Sequence, residues 1–443
     1  MEWKKNPKRK PLILRGARQV GKTTIIKEFS KSYKYSIHLN LELSEHRVYF
    51  NQFVNVETLV EALFFSNNIT STEKNQTLLF IDEIQESAEA ISMLRYFYEM
   101  EPLLNVVAAG SLLEQVMRKV RSFPVGRVQM LYMYPVNFPE FLQANGQNRA
   151  HDQLCKVPIE DFAHPTLLKW FHKYTIIGGM PEIIAQYMET NSISDLIPIY
   201  QSIWETYKED VVKYASNDTE ARVIRHIINT AHLELDSRIK FQNFGNSNFK
   251  SREVGEAFRN LDDAKIIQLI YPTTDTQMPM RADLKKSPRL QYLDTGIVNY
   301  ELNLQSELLS LSDFSDTYRG AIIPHMVTQE IISLNDEKPG KPHFWVREKS
   351  QSSSEVDLLF QYQNLLIPIE IKSGKAGKLR SLHQFVEESE HPYAIRLYAG
   401  NFNVETHKTP NGKPYFLMNL PYYLATQLEG YIQYFITNYN IVE

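Results

Sequence analysis

The 443-residue chain carries 48 basic and 52 acidic residues, a net charge of −4, with 43% apolar, 12% aromatic and 23% charged residues. This is the balance of an ordinary globular protein. It gives no global signal for a polyanionic partner and leaves room for roughly three domains at about 150 residues each. One cysteine, Cys155, excludes a disulfide framework and a cysteine-based zinc site. No apolar run approaches the ~18 residues of a membrane-spanning helix, and the charged start Met1-Glu2-Trp3-Lys4-Lys5 lacks the apolar core of a secretory signal. A cytoplasmic protein without a membrane partner is expected.

In chain order, residues 11–145 alternate strand-like and helix-like runs, which predicts a parallel sheet covered by helices on both faces. The strand candidates are residues 11–14, 35–41, 77–81, 106–109 and 128–132. Amphipathic stretches at 56–65 and 88–100 lie between them, and in the second Ile91, Leu94 and Tyr98 recur at helical spacing. Residues 151–235 read as helical, broken at Ile177-Gly178-Gly179-Met180-Pro181. A helix–turn–helix-like piece follows at 251–261 with an apolar run at 265–271, and polar stretches at 272–288 and 306–316 read as linkers. From about 318 one long helix leads into strands at 343–348, 355–361, 365–372 and 394–398. The domain boundaries expected from this pattern are 1–150, 151–235, 236–300 and 301–443.

The first strand runs into Gly16-Ala17-Arg18-Gln19-Val20-Gly21-Lys22-Thr23-Thr24 and then a helix. This is the Walker A spacing in its strand-to-helix context. Glycines let the backbone wrap a pyrophosphate without Cβ clashes, and loop N–H groups with the helix N-terminus offer positive ends to phosphate. Lys22 would reach the β- and γ-phosphates and the Thr23 hydroxyl would bind Mg²⁺. Sixty residues on, Leu78-Leu79-Phe80-Ile81-Asp82-Glu83 has the Walker B form, with Asp82 supporting Mg²⁺ and Glu83 as general base for the attacking water. ATP and Mg²⁺ are thus the expected cofactors, and a kinase-like transfer is disfavoured because Glu83 beside Asp82 suits water activation. The next buried strand ends in Ser111, read either as a polar residue orienting that water or as the N-cap of a helix over 112–120. Arg127, in a Gly126 turn, is read either as an arginine finger into a neighbouring subunit of a homo-oligomer or as an ion-paired surface arginine.

Near the C-terminus, Glu355-Val356-Asp357 and Glu370-Ile371-Lys372 lie on consecutive strand candidates. Alternation puts Glu370 and Lys372 on one face. Two acids and a lysine there would hold a second divalent cation and activate water for phosphodiester hydrolysis, with Asp357 and Glu370 as metal ligands and Lys372 as catalytic partner. The arrangement resembles the PD-(D/E)XK nuclease pattern. Glu330 falls on the apolar stripe of the preceding helix and joins as a further acid, because a buried carboxylate needs a partner or a metal. The plainer reading is an Asp357–Lys372 ion pair. Arg238, Lys240, Lys250, Arg252 and Arg259 give the helix–turn–helix-like piece a basic side diluted by Glu253, Glu256, Asp262 and Asp263.

The segments GARQVGKT, LLFIDEIQ, AAGSLLE, the 124–141 stretch and IIGGMPEII together resemble a family of prokaryotic AAA+-type ATPases of the archaeal-ATPase branch. The resemblance covers nearly the whole chain. It implies an α/β fold: a P-loop NTPase parallel sheet, a helical lid, a winged-helix-like element and a C-terminal α/β nuclease-like domain. It also implies Lys22, Thr23, Asp82 and Glu83 as the ATP site, Ser111 as sensor and Arg127 as finger. In that family a further helix ahead of the segment resembling residues 2–10 usually covers the adenine, and here that cover is expected to be incomplete. The function expected is an Mg²⁺-dependent ATPase coupled to a nuclease-like domain acting on or binding DNA or RNA. The alternative is a nucleotide-switched scaffold that regulates a protein partner through an inert nuclease fold.

Overall fold

The computed structural model describes residues 2–53, 55–111, 123–213, 215, 217–235, 237–304, 316–337, 340–349, 352–372 and 379–440. Its chain divides into two compact units. The first comprises Met1–Tyr134 with Asp263–Lys265 and Asn335–Pro339, the second Pro135–Asp262, Ile266–Leu334 and Gly340–Glu443.

The first unit is built on β1 (Leu12–Arg15), β2 (Tyr35–Asn40), β3 (Thr77–Asp82), β4 (Asn105–Gly110) and β5 (Gln129–Tyr132), all parallel, in the order β2-β3-β4-β1-β5. The inner strands β3 and β4 are buried along their whole length, whereas the edge strand β5 is half-buried. That is the burial expected of continuous apolar runs between two helical layers. Strand alternation sorts the core. Ile13, Leu79, Ile81, Val106 and Ala108 face the helices Val56–Ser66 and Ala88–Met100, while Leu12, Leu78, Phe80 and Val107 face Ile26 of the helix Lys22–Ser30. Asn55 and Ser87 cap the first two of these helices, their side chains accepting from the N–H of Glu57 and Ala90. Trp3 packs on Phe29 at the far end of Lys22–Ser30 (ring centroids 6.3 Å apart), so the N-terminal segment lies at the opposite end of that helix from the loop.

The second unit opens with helices, among them Phe138–Ala144, His164–Ile177, Pro181–Thr190, Ile197–Lys213 and Asp218–Thr230, followed by Ser251–Asp263. Next come β6 (Ile267–Ile270), β7 (Pro272–Thr273) and β8 (Arg289–Tyr292), with β6 and β8 antiparallel. The helix Asp316–Ser333 then precedes β9 (His343–Lys349), β10 (Ser352–Tyr362), β11 (Leu365–Ile371), β12 (Tyr393–Tyr398), β13 (Asn403–Lys408) and β14 (Pro414–Pro421). These form a seven-stranded sheet in the order β13-β14-β12-β11-β10-β9-β7. Strands β9, β10 and β11 make an antiparallel meander, the helix Arg380–Glu388 crosses over, and β12 returns parallel to β11. Trp345, Val356, Leu366, Leu382, Phe385 and Ala394 form the core between that helix and the sheet.

A buried polar centre joins segments far apart in this unit's sequence. Gly179 N–H donates to Asp294 Oδ2 (2.6 Å), Asn299 donates to the carbonyls of Thr175 and Ile176, and the Glu330 carboxylate accepts from Phe138 N–H (3.0 Å) and Tyr174 O–H (2.7 Å). Hydrogen bonds therefore tie together stretches that the sequence pattern treats as lid, winged-helix-like region and C-terminal domain. Residues 306–315, read as a linker, lie outside the described residues.

Candidate functional site

At the end of β1 the chain turns sharply through Gly16, where φ is +153° and a Cβ would stand 2.3 Å from the Met133 carbonyl oxygen. Gly21, at φ 93°, then hands the backbone to the helix Lys22–Ser30. Both positions require glycine. Ala17 and Val20 are buried beneath the loop, and Thr24 is exposed on the first helical turn. Gln19 also sits in the left-handed region (φ 61°), and Arg18 reaches out to Glu42 at 3.0 Å.

Lys22 is buried, and its ammonium donates to the loop's own carbonyls, Ala17 at 2.7 Å and Gly16 at 3.0 Å. Burial lowers its pKa to about 8, against the attraction of Glu83 and Asp82 and with a further push from Arg18. Thr23 donates its hydroxyl to Asp82 Oδ2 at 2.9 Å, so the two residues expected to share a metal already meet. Glu83 adopts φ 50°, ψ 48°, turning its side chain off the end of β3, and its N–H is held by Asp82 Oδ1. Burial pushes the Glu83 carboxyl up; a hydrogen bond from Gln85 Nε2 (2.5 Å) and the charge of Lys22 pull the other way. Ser111 Oγ, at the end of the neighbouring β4, is buried and has no hydrogen-bond partner among the described residues. The helix it was expected to cap falls in 112–122, outside the described residues.

Two residues at this site had no role assigned from the sequence, Gln85 at the end of the LLFIDEIQ segment and His38 outside any motif. Gln85 positions the Glu83 carboxylate, and His38 on β2 places Nε2 3.5 Å from Asp82 Oδ2 with its ring stacked 4.6 Å from Phe80. Parallel register sets His38 beside Phe80, two residues before Asp82. Only the pairing of β2 with β3 reveals it. Arg127 has its Nε 3.1 Å from Glu99 Oε1, on an exposed surface that Arg95 shares. The surface ion pair is the arrangement this side chain adopts here.

The β10–β11 acids form a second constellation. Ladder pairs Leu358–Ile369 and Leu359–Pro368, continued by one step, set Asp357 opposite Glu370 on one face. A register shift in the β9–β10 ladder falls between Val356 and Leu359, a stretch that includes Asp357; such shifts re-aim side chains. Asp357 Oδ2 accepts from Ile371 N–H (2.8 Å), and Lys372 Nζ donates to Glu370 Oε1 (2.5 Å). Glu370 is pushed up to about 7, first by burial and then by the charge of Asp357. Asp357, Glu370 and Lys372 therefore come together. Glu330, expected with them, does not join: both of its oxygens are taken by Phe138 and Tyr174, because its helix turns that face to other helices of the unit. Among the described residues no group of three or more His, Cys, Asp or Glu side chains is placed to hold a metal ion. Of the basic residues at 238–259, Arg238 pairs with Glu348 at 2.7 Å and Arg252 with Glu256 at 2.9 Å.

Three family models match the chain. Residues 8–142 match an AAA domain, residues 168–308 a domain of unknown function (DUF8612), and residues 319–422 another domain of unknown function (DUF4143). The first supports a P-loop ATPase family and agrees with the five-stranded parallel sheet and its loop. No curated protein matches the chain. Among the described residues no helix is long and apolar enough to cross a membrane.

Proposed function

We propose that the chain is a cytoplasmic Mg²⁺-dependent ATPase whose nucleotide turnover is coupled to a nuclease-like C-terminal region acting on DNA or RNA. The observation that carries the ATPase reading is the convergence of Lys22, Thr23, Asp82 and Glu83 around a glycine-shaped loop. Lys22 gives up its loop carbonyls for phosphate oxygens, whose negative charge favours its protonated form. Thr23 and Asp82 are the residues that would hold Mg²⁺, which when bound neutralises charge on the β- and γ-phosphates. Glu83, oriented by Gln85, takes the proton from the attacking water, and Ser111 offers its hydroxyl to the γ-phosphate side of the same pocket. Arg127 would serve a second copy only after leaving Glu99.

The nuclease-like reading is supported by the antiparallel meander, crossover helix and parallel return around Asp357, Glu370 and Lys372. The rival, a nucleotide-switched scaffold acting on a protein partner, is favoured by the ion pairs that already neutralise those acids. One experiment tests both halves. Native chain, Lys22→Ala and Asp357→Ala/Lys372→Ala are assayed for phosphate release from ATP and for cleavage of plasmid DNA and single-stranded RNA with Mg²⁺ or Mn²⁺. Turnover lost in Lys22→Ala and cleavage lost in the double variant is the expected result. Undiminished turnover in Lys22→Ala removes the site assignment, and no cleavage by the native chain under any nucleotide condition leaves the scaffold.

A further inference from the structure

The acids of β10 and β11 are already faced by cations from the segment around β8. Arg289, the first residue of β8, pairs Nη2 with Glu355 Oε1 and stands 3.6 Å from Asp357 Oδ1, its guanidinium 4.7 Å from the ring centre of Phe344. Arg238, bridged to Arg289 through the backbone, lies 3.9 Å from Glu355 Oε2 and 5.9 Å from the same ring. Two arginines thus lie along the acid rim. Beneath them Glu370 is 7% exposed, and its Oε2 has no hydrogen-bond partner among the described residues. A buried carboxylate oxygen without a donor is unfavourable until a proton or cation meets it. A small cavity of about 30 Å³ is lined by Arg289, Asp357, Phe344, His325 and Thr328.

We propose that Arg289 is a built-in cation closing a divalent-cation site whose protein ligands are Asp357 and Glu370, so that the site loads only when Arg289 leaves Asp357. The inference rests on the reading of β10 and β11 as a metal-dependent site and adds the group that must move. A guanidinium and a divalent ion cannot share Asp357 at contact distance, because like charges a few ångströms apart repel strongly outside bulk water. Two carboxylates with water completing the shell suffice for Mg²⁺ or Mn²⁺. Glu355 here is the anchor of Arg289 and not a metal ligand. Removing this acid should therefore tighten metal binding, the opposite of what loss of a ligand does.

The test is Mn²⁺ titration of the full chain without nucleotide, free Mn²⁺ being read by electron paramagnetic resonance. The proteins are native chain, Arg289→Gln, Arg289→Lys, Glu355→Gln and Arg289→Gln/Asp357→Asn, each checked for an intact thermal transition. Arg289→Gln and Glu355→Gln are expected to bind one Mn²⁺ at least ten-fold more tightly than native chain. Arg289→Lys should match native chain, and Asp357→Asn should cancel the gain. Equal affinity in native chain and Arg289→Gln, weaker binding in Glu355→Gln, or a gain that survives Asp357→Asn overturns the proposal. Should Arg289→Gln not fold, Glu355→Gln decides alone. Because occupancy and not cleavage is read, a variant that loads Mn²⁺ yet cuts nothing removes only the nuclease reading. Cleavage with affinity indifferent to Arg289 removes only this one.

Discussion

At the residue scale the proposed ATP site rests on a few short contacts. Glu83 must be ionised to accept a proton, and its burial works against that. Gln85 and Lys22 oppose that push by favouring the charged form. Glu83→Gln retains shape and hydrogen-bonding capacity but not basicity, so kcat should fall by roughly 10²–10⁴-fold with nucleotide affinity within a few-fold of native. Fluorescent-nucleotide titration beside phosphate release measures the two separately. Loss of binding in parallel with turnover would make Glu83 a structural residue of the loop.

At the element scale the joints are glycines where the chain turns against another segment. Gly178 ends the helix His164–Ile177 with φ 78°, and a Cβ there would stand 2.3 Å from Asp294 Oδ1 and 2.6 Å from Gly296 N. Gly126 has a similar φ, 74°, but open space around it. Gly178→Ala therefore combines backbone strain of about 1–3 kcal/mol with a collision against a buried carboxylate. Gly126→Ala meets the strain alone. Urea unfolding should show a clearly lower midpoint for Gly178→Ala than for Gly126→Ala; equal midpoints would mean that Asp294 moves aside without cost.

At the scale of the molecule, the second unit keeps a protonatable centre away from water. Burial pushes Glu330 up to about 8 from 4.5, opposed by the bonds from Phe138 and Tyr174 and reinforced by Glu140. The folded chain thus holds a proton that the unfolded chain releases above about pH 4.5. This contribution is fully present below that pH and is lost as pH rises through about 8. Asp294, raised to about 6 from 3.8, adds the same sign at lower pH. Stability of this unit should fall between pH 6 and 8 at up to about 1.4 kcal/mol per pH unit. Glu330→Gln should flatten that slope in urea midpoints recorded across pH 5–9; an unchanged slope would assign the proton elsewhere.

Much of this was legible in the residues. The five parallel strands lie within a residue or two of their expected bounds; β3 and β4, buried on both faces, are nearly continuous apolar runs. The helix Ala88–Met100 coincides with its periodicity. Strands β13 and β14 were not expected, although Asn411-Gly412 between them is a hairpin signal. Strand β13 is largely exposed and lacks an apolar stripe, so its pairing, not its composition, makes it a strand. Periodicity placed Glu330 on a buried face correctly but could not say which neighbour that face meets. His38 had no motif at all, and Gln85, though within LLFIDEIQ, had no role assigned to it.

The sequence by itself determined the phosphate loop, its paired acids and the strand-helix alternation that carries them, because each follows from spacing along a few dozen residues. Only the tertiary structure decided what the isolated charges meet: Glu330 with Tyr174, Arg127 with Glu99, Arg289 with Asp357. Those partners lie from 28 to 156 residues apart, and a charge is drawn to whatever the fold brings within reach, a relation that local periodicity does not encode.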